Sequence, residues 1–456
     1  MVLARRIYEA APICVQHVLF NAEATRVYRG RYLGRFGNIL TAAEARASWA
    51  PDLIAEYQSQ RLRSFTAAIA LEVPRHRPGS DYELPLDGVR DVSGLAEWCD
   101  QSDKDAVKAN QVLFEAQVPP ADATRLATGG TTGNPLNFES TRSAVQEQWA
   151  IWWRFRRALG IKLGTRCAHF GGQGVVPGGQ IGPPYWRRNL PMALTYFSAN
   201  HVNASTAQAY IDEIHRNRFE WIHGYPTVLV TLARHCIEQG ITLDYPMTWV
   251  TTGAEALTED ARVLLKRVFG VEPRQHYGLA EAVANFSECV EGRLHVDEDF
   301  ALVEFLPSEA ERGLHRIVGT ALSNRATAFV RYDTGDLARL ADGSCKCGRA
   351  GRIVDAVEGR QADFLTLSSG QLVGPVNQIA KGLNDILHLQ LASDGPDSVR
   401  ALVVPSDRWD GDSADLVRQL VVARSTDSIH VDVEVISEPL RSAGGKVRSV
   451  VDLGSA

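Results

Sequence analysis

The chain has 456 residues, 45% of them hydrophobic and 22% charged, and a net charge of -6. That length exceeds what one hydrophobic core serves, so two or more globular domains are expected. The acidic balance argues against broad nucleic-acid or anionic-membrane binding, and no apolar run approaches the roughly 18 residues of a membrane span. Arg5 and Arg6 are followed by Glu9, Pro12 and Gln16, which interrupt a signal-peptide pattern. Seven irregularly placed cysteines do not form a disulfide framework, so a cytoplasmic location is expected.

The first hundred residues read as helix-rich and carry no recognisable chemistry, with a loop over residues 76 to 88. Next comes Thr128-Gly129-Gly130-Thr131-Thr132-Gly133-Asn134-Pro135. Its free amides and hydroxyls suit the oxygens of a triphosphate. It is not a Walker loop, because no Lys-Ser/Thr follows, and this disfavours a P-loop kinase or NTPase. Residues 140 to 160 predict a long helix ending at Gly160, whose basic run Arg154, Arg156 and Arg157 reads as an amphipathic face.

From about residue 165, short apolar runs alternate with helices, which predicts an α/β fold. A strand over Ala168 to Phe170 enters Gly171 and Gly172, and Ser205 with Gln208 reads as a capping box. His223-Gly224-Tyr225-Pro226 is a strand-to-helix turn. A strand from Trp249 empties into Thr252-Gly253-Ala254-Glu255, and Thr258 caps a helix that ends at Gly270. Ligands of open α/β sheets sit at such carboxyl-end turns. After Arg316 the pattern turns to strands and tight turns. A further shift follows Gly359-Arg360, where a domain boundary is expected.

Four more segments carry chemistry. Tyr277-Gly278-Leu279-Ala280-Glu281 offers a flat ring and a carboxylate, and Asp336 in Tyr332-Asp333-Thr334-Gly335-Asp336 suits two ribose hydroxyls. Arg360 supplies a cation at the boundary, and Gly444-Gly445-Lys446 places a lysine on a flexible loop. Each alone is a common turn. In this order and at these separations they resemble the adenylate-forming ligase superfamily, and within it phenylacetate–coenzyme A ligases and their capsule-biosynthesis relatives.

The resemblance implies an ATP-binding adenylation domain over residues 1–359, with α/β sheets and a strand-rich subdomain. A small mobile α+β lid over 360–456 would carry the catalytic lysine. By the same resemblance, Thr128 to Gly133 would hold the ATP phosphates. Gly253, Ala254 and Glu255 would flank the adenine and the acyl pocket, with Tyr277 and Gly278 against the adenine. Glu281 would bind Mg²⁺, Asp336 the ribose, Arg360 ribose or phosphate, and Lys446 the carboxylate and α-phosphate. Phe170, Gly171, Gly172, Tyr225 and Ala254 would line the acyl pocket, and aromatic content suggests an aryl or arylacetic acid. Ala362, in place of a polar hinge residue, and Ser368-Ser369-Gly370-Gln371, without an arginine after the glycine, leave the acceptor open. It could be coenzyme A, an amine or a carrier-protein thiol.

Cys345-Lys346-Cys347-Gly348 is the other specific signal, since two thiolates two positions apart can share one Zn²⁺. Cys289 and His295 are the natural completing ligands, and the related ligases carry a similar pattern. Cys14, Cys99, Cys167 and Cys236 have apolar neighbours and read as core. Three activities follow in order of preference. The first is acid activation to an acyl-AMP with transfer to coenzyme A. The second is an amide or ester synthetase of polysaccharide or natural-product assembly. The third is a non-catalytic nucleotide- or acyl-binding protein. A homodimer is the default oligomeric expectation.

Overall fold

Twelve hydrogen-bonded strands make one mixed sheet through the larger part of the chain. The computed structural model describes residues 7–128, 136–308, 313–360, 365–368, 372–373, 376, 379, 383, 385–406, 408–423, 425, 429–440 and 447–453, with only the backbone at 359, 360, 366 and 372.

Helices α1 (Ile13–Tyr32), α2 (Phe36–Arg46) and α3 (Pro51–Glu72) come first, and three short helices follow between residues 92 and 114. Strands β1 (Ala123–Ala127) and β2 (Asn137–Thr141) form a hairpin whose connection is the Gly/Thr loop. Helix α4 (Arg142–Ala158) starts directly from β2: the Thr141 side chain caps it by accepting from Ala144 N, and Gly160, at φ 91°, ends the turn beyond it.

The central sheet begins with β3 (Cys167–Phe170), β4 (Trp186–Asn189) and β5 (Leu194–Phe197), then continues through β6 (Trp221–Gly224), β7 (Trp249–Gly253) and β8 (Arg274–Gly278). Helices α5 (Ala207–Asn217), α6 (Pro226–Glu238) and α7 (Glu259–Phe269) connect them. The parallel strands lie in the order β5-β3-β6-β7-β8, so the winding reverses between β3 and β6. Because strand side chains alternate, the two faces have different partners. Ala168, Phe170, Ile222 and Val250 join the core under α5, α6 and α7. Cys167 and Trp221, with the partly buried Trp249, face α2 and α4 through Phe36, Leu40, Ala150 and Trp153.

Beyond β8 the pairing turns antiparallel through β9 (Asn285–Glu288), β10 (Leu294–Val296), β11 (Ala301–Pro307), β12 (Leu314–Ala321), β13 (Tyr332–Leu340) and β14 (Ile353–Arg360). The register sets Asp336 of β13 opposite Arg360, the last residue of β14. After it come the short pair β15 (Leu365–Thr366) and β16 (Leu372–Val373) and then a separate three-stranded sheet. That sheet holds β17 (Ile386–Gly395), β18 (Ser398–Pro405) and, parallel to β18, β19 (His430–Val435), with helix α8 (Ser413–Val422) packed by Val417 and Val421.

Four local expectations need correction. Strand-rich structure begins at Asn285, well before Arg316. Ser205 does not cap α5, because its N–H and hydroxyl both bond Asn203 Oδ1 (2.9 and 2.7 Å) in a side-chain turn, and Thr206 occupies the cap position. Cys14 is exposed, whereas Cys99, Cys167 and Cys236 are buried as expected. Arg154 and Arg156 are not a solvated helix face: both are buried, and only Arg157 of that run is exposed.

Arg154 gives Nη1 to Asp299 at 2.8 Å and Nη2 to Asp297 at 2.8 Å, and Arg46 of α2 gives Nε to Asp299 at 2.7 Å. Burial alone would raise the Asp299 pKa, but the two guanidiniums outweigh it and hold the carboxyl well below the usual range. Removing Arg154 would leave Asp299 with Arg46 alone and Asp297 with Arg349 alone, so two buried carboxylates would each lose a compensating cation. Arg154→Met is therefore expected to cost about 3–5 kcal/mol of unfolding free energy. Urea denaturation would check this, and a loss under about 1 kcal/mol, the size of an exposed pair, would show that the clamp is not structural.

Candidate active site

Tyrosines hold both of the carboxylates singled out in the sequence. Asp336 is buried, and Tyr277 Oη donates to its Oδ2 at 2.7 Å while the Tyr277 ring stacks on Phe286 at 4.7 Å. Glu281 lies in the turn after β8, where Ala282 takes φ 60°, and it accepts from Tyr332 Oη at 3.2 Å. The turn within β13 is tied by its own side chains. Asp333 Oδ1 accepts from Gly335 N (2.9 Å) and Thr334 Oγ1 from Asp336 N (3.0 Å), while Arg316 pairs with Asp333. Asp333 is thus spent on the turn, and Asp336 is the carboxylate turned to the aromatic ring.

The base of the hairpin loop is tied at Thr128 and Leu136. Thr128 N donates to Leu136 O (2.9 Å), and Leu136 N donates to Thr128 Oγ1 (3.0 Å). Gly129, Gly130, Thr131, Thr132 and Gly133 lie outside the described residues, as does Lys446. Leu136 and Phe138 pack with Phe329 and Tyr332 in one buried cluster, with successive rings 5.1 and 5.2 Å apart. A packed column therefore joins the base of the loop to the hydroxyl that holds Glu281.

The glycine turns are places of close approach. A Cβ on Gly253 would sit 2.8 Å from His276 Cε1, and one on Gly278 would sit 2.8 Å from Asn285 Oδ1. Ala254 takes φ 67°, and Glu255 Oε2 accepts from Thr227 N (3.1 Å) and Thr227 Oγ1 (2.8 Å) at the start of α6, where a carboxylate also suits the helix dipole. Gly171, Gly172 and Tyr225 fall at the carboxyl ends of β3 and β6, where the winding reverses and α/β sheets bind ligands. A Cβ on Gly172 would sit 2.6 Å from Tyr225 Oη. Phe170 does not line this crevice: it is fully buried on the opposite face, stacked on Phe197 at 4.8 Å, and contributes only its carbonyl, to Tyr225 N. Of Arg360 the backbone alone is described, one strand across from Asp336.

Cys289, His295, Cys345 and Cys347 come together as a group able to hold a metal ion, their ligand atoms all within 4.8 Å of one another. Two metal–sulfur bonds of ~2.3 Å at a tetrahedral angle would put the sulfurs about 3.8 Å apart. Cys289 and Cys345 Sγ are 3.7 Å apart, and Cys347 Sγ is 3.4 Å from His295 Nε2. Arg349 of the same turn pairs with Asp297, so this knuckle is fastened to the Arg154 clamp.

Sequence reasoning missed a row of histidines. His169 of β3 and His223 of β6 are paired in register and stack at 5.3 Å; His223 and His276 of β8 stack at 6.0 Å. All three rings point to the α4 face and keep some accessible surface. The signal was there in period 2: His169, His223 and Thr251 each stand two places after the residue that opens their strand, Cys167, Trp221 or Trp249. Burial, then the nearby Arg156, pushes the His169 and His276 pKa values down to about 3, and His223 also moves well down. The rings are therefore neutral at physiological pH.

No family model matches the chain. It is 26% identical over 433 residues to the phenylacetate–coenzyme A ligase of Thermus thermophilus, covering 87% of this chain and 96% of that one. It is also 24% identical over 335 residues to CapK of Staphylococcus aureus, covering 72% and 74%. These likenesses support membership of the adenylate-forming superfamily, on its phenylacetate–coenzyme A ligase-like branch. The fold is shared with a solved acyl-CoA ligase. A crystal structure of 2-hydroxyisobutyryl-CoA ligase in complex with 2-HIB-AMP matches with a TM-score of 0.60 at 13% identity, over 93% of this chain and 91% of that chain.

Histidines neutral in the fold but protonated when unfolded make the unfolded state bind more protons, so stability falls as pH drops below about 6.5. A His169→Gln/His223→Gln/His276→Gln variant is expected to lose less stability than wild type between about pH 6.5 and 4.5, above the main carboxylate range. Urea midpoints across that window would check this, and parallel pH slopes would refute it.

Proposed function

We propose that the protein activates a carboxylic acid as its acyl-AMP, releasing pyrophosphate from ATP, and then transfers the acyl group to coenzyme A. The observation that carries this reading is the convergence on β13, where Tyr277 aligns Asp336 and Tyr332 joins Glu281 to the base of the Gly/Thr loop. In this reading the loop amides from Thr128 to Gly133 cradle the phosphates, Tyr277 and the Gly253–Glu255 turn flank the adenine, and Asp336 takes the ribose hydroxyls. Attack of a carboxylate oxygen on the α-phosphorus brings like charges together. Mg²⁺ at Glu281 would offset that charge, and Lys446 would neutralise the oxygens of the forming acyl phosphate. Residues 360–456 act as a lid that brings in Lys446 and Arg360 and keeps water from the acyl-AMP. Coenzyme A is the preferred acceptor because three of the relatives are phenylacetate–coenzyme A ligases. Among the described residues no helix is long and apolar enough to cross a membrane.

Carboxylate-dependent ATP–pyrophosphate exchange, run across aryl, arylacetic, amino and fatty acids, tests the reading. Exchange with one class is expected, and silence across the panel with ATP still bound would overturn it. Lys446→Ala is expected to lower exchange by about 10²-fold or more while leaving ATP binding intact. Equal exchange in the variant would remove Lys446 from the chemistry.

The Cys289, His295, Cys345 and Cys347 group is proposed as a closed structural zinc site with no open coordination position. About one zinc per chain is expected by metal analysis of protein purified without chelator, falling in Cys345→Ser/Cys347→Ser with a lower melting temperature. Absence of zinc from the wild type would retire the assignment.

A further inference from the structure

Among the described residues Arg156 is a buried cation without a counter-ion. It is 6% exposed, its side chain has no hydrogen bond or ion pair with any described residue, and its Nε is unpartnered. Around the guanidinium stand the rings of Trp153, Trp221 and Trp149, with centroids 5.1, 5.4 and 5.8 Å from Cζ. The other groups that bear on its charge are Tyr32, Tyr196 and Cys167, all neutral at pH 7, and Arg31. Arg31 is a second cation with no acidic partner among the described residues, lying over Trp149 at 4.0 Å. Burial depresses the pKa of both arginines. One buried and one half-buried cation with no acid beside them among the described residues is an arrangement that costs stability unless something anionic enters.

The way in is marked by the histidine row. Helix α4 covers the face that carries His169, His223 and His276, with Trp152 and Phe155 each 5.5 Å from the His276 ring. Arg156 stands close enough to depress all three imidazoles. A Cβ on Gly171 would meet His169 Nε2 at 2.6 Å, and one on Gly253 would meet His276, so two of the rings abut the carboxyl-end turns where the crevice opens. His276 and Tyr277 are consecutive in β8 and point to opposite faces, which separates the histidine side from the side that carries Tyr277 and Asp336. The Trp221 ring, 5.4 Å from the Arg156 guanidinium, lies 6.2 Å from the His223 ring, so the histidine row leads from the carboxyl-end turns toward Arg156.

We infer that the acid activated here carries a second anionic group, a second carboxylate in the simplest case, which pairs with Arg156 and Arg31 while the first is adenylated. The inference rests on the acid-activating reading above. An oxygen of the near carboxylate forms the bond to the α-phosphorus, the bond to pyrophosphate breaks with its electron pair leaving on pyrophosphate, and the far carboxylate stays ionised throughout. Free inorganic anions share the chemistry that would satisfy Arg156, so the test has to separate the two sources.

ATP–pyrophosphate exchange with matched mono- and dicarboxylic acids, such as phenylacetate against phenylenediacetate and benzoate against terephthalate, makes the comparison. Wild type is expected to favour the dicarboxylate, and Arg156→Met to lower its kcat/KM by about 30-fold or more while sparing the monoacid. Arg156→Lys should restore part of the preference. Because Arg156 has no acid to orphan, Arg156→Met is expected to melt at or above wild type, the reverse of Arg154→Met. A preference for monoacids in wild type, or a dicarboxylate preference untouched by Arg156→Met, would overturn the inference while leaving acid activation standing. No exchange with any acid would instead sink the underlying reading, and the inference with it. If inorganic phosphate raises the melting temperature of wild type but not of Arg156→Met, and no dicarboxylate is preferred, the recess is a structural anion site and the inference is wrong.

Discussion

The ion cluster of Arg154 with Asp297 and Asp299 is the constraint that the rest of the site depends on. Helix α4 leaves the Gly/Thr hairpin, crosses the face of the central sheet and carries Trp152 and Arg156 over the histidine row. A helix lying on a sheet by apolar contact alone can slide by a fraction of a turn. A guanidinium fixed by two carboxylates, one of them shared with Arg46 of α2, cannot do so without exposing charge to low dielectric. Asp297 also accepts from Asn285 and Ser287, and Asn285 in turn accepts from Trp152 Nε1 at 2.8 Å. The strand below and the helix above are thus locked to one another through a single carboxylate, and the Cys/His knuckle is fastened to it through Arg349.

Two arginines two positions apart on one helix have opposite circumstances, and the difference defines their work. Arg154 is ion-paired through both terminal nitrogens and raised in pKa, a fixed structural cation. Arg156 is unpaired and lowered, held among indole rings that offer their π-faces but no charge. Local rules of charge satisfaction are obeyed at the first and broken at the second, and such breaks are expected where a ligand completes the structure. The histidines reinforce this contrast. Kept neutral, they add no positive charge beside Arg156.

Much of the fold was legible because strand-turn-helix punctuation is local. Pro226 at a helix start, Thr258 as a cap and Gly270 at a helix end act through their own backbone, and each does what its chemistry implies. The Cys289, His295, Cys345 and Cys347 group was legible because its ligand spacing is stereotyped. The burial of Arg154 and Arg156 was not, because Arg154 meets the distant Asp297 and Asp299 and Arg156 is covered in part by Trp221 of the sheet, and a helical wheel alone cannot tell a charge facing water from one facing such partners. Phe170 misled for a related reason: one residue before a glycine turn suggests a pocket wall, but strand alternation sends that ring to the other face. Nothing local distinguishes the tyrosine hydroxyls that hold Asp336 and Glu281 either, since those contacts span 59 and 51 residues.

The pairing of β13 with β14 has a mechanical meaning. The chain leaves the large sheet at Arg360, and the backbone there is hydrogen-bonded in register with Asp336. Neighbouring strands lie about 5 Å apart. Under the proposed lid reading, a swing of the residues that follow would have its fulcrum one strand spacing from the carboxylate that Tyr277 aligns. A small tilt at such a pivot is a large arc at the far end of a lever, so a ribose held by Asp336 in that reading would sit where the least displacement governs the greatest travel.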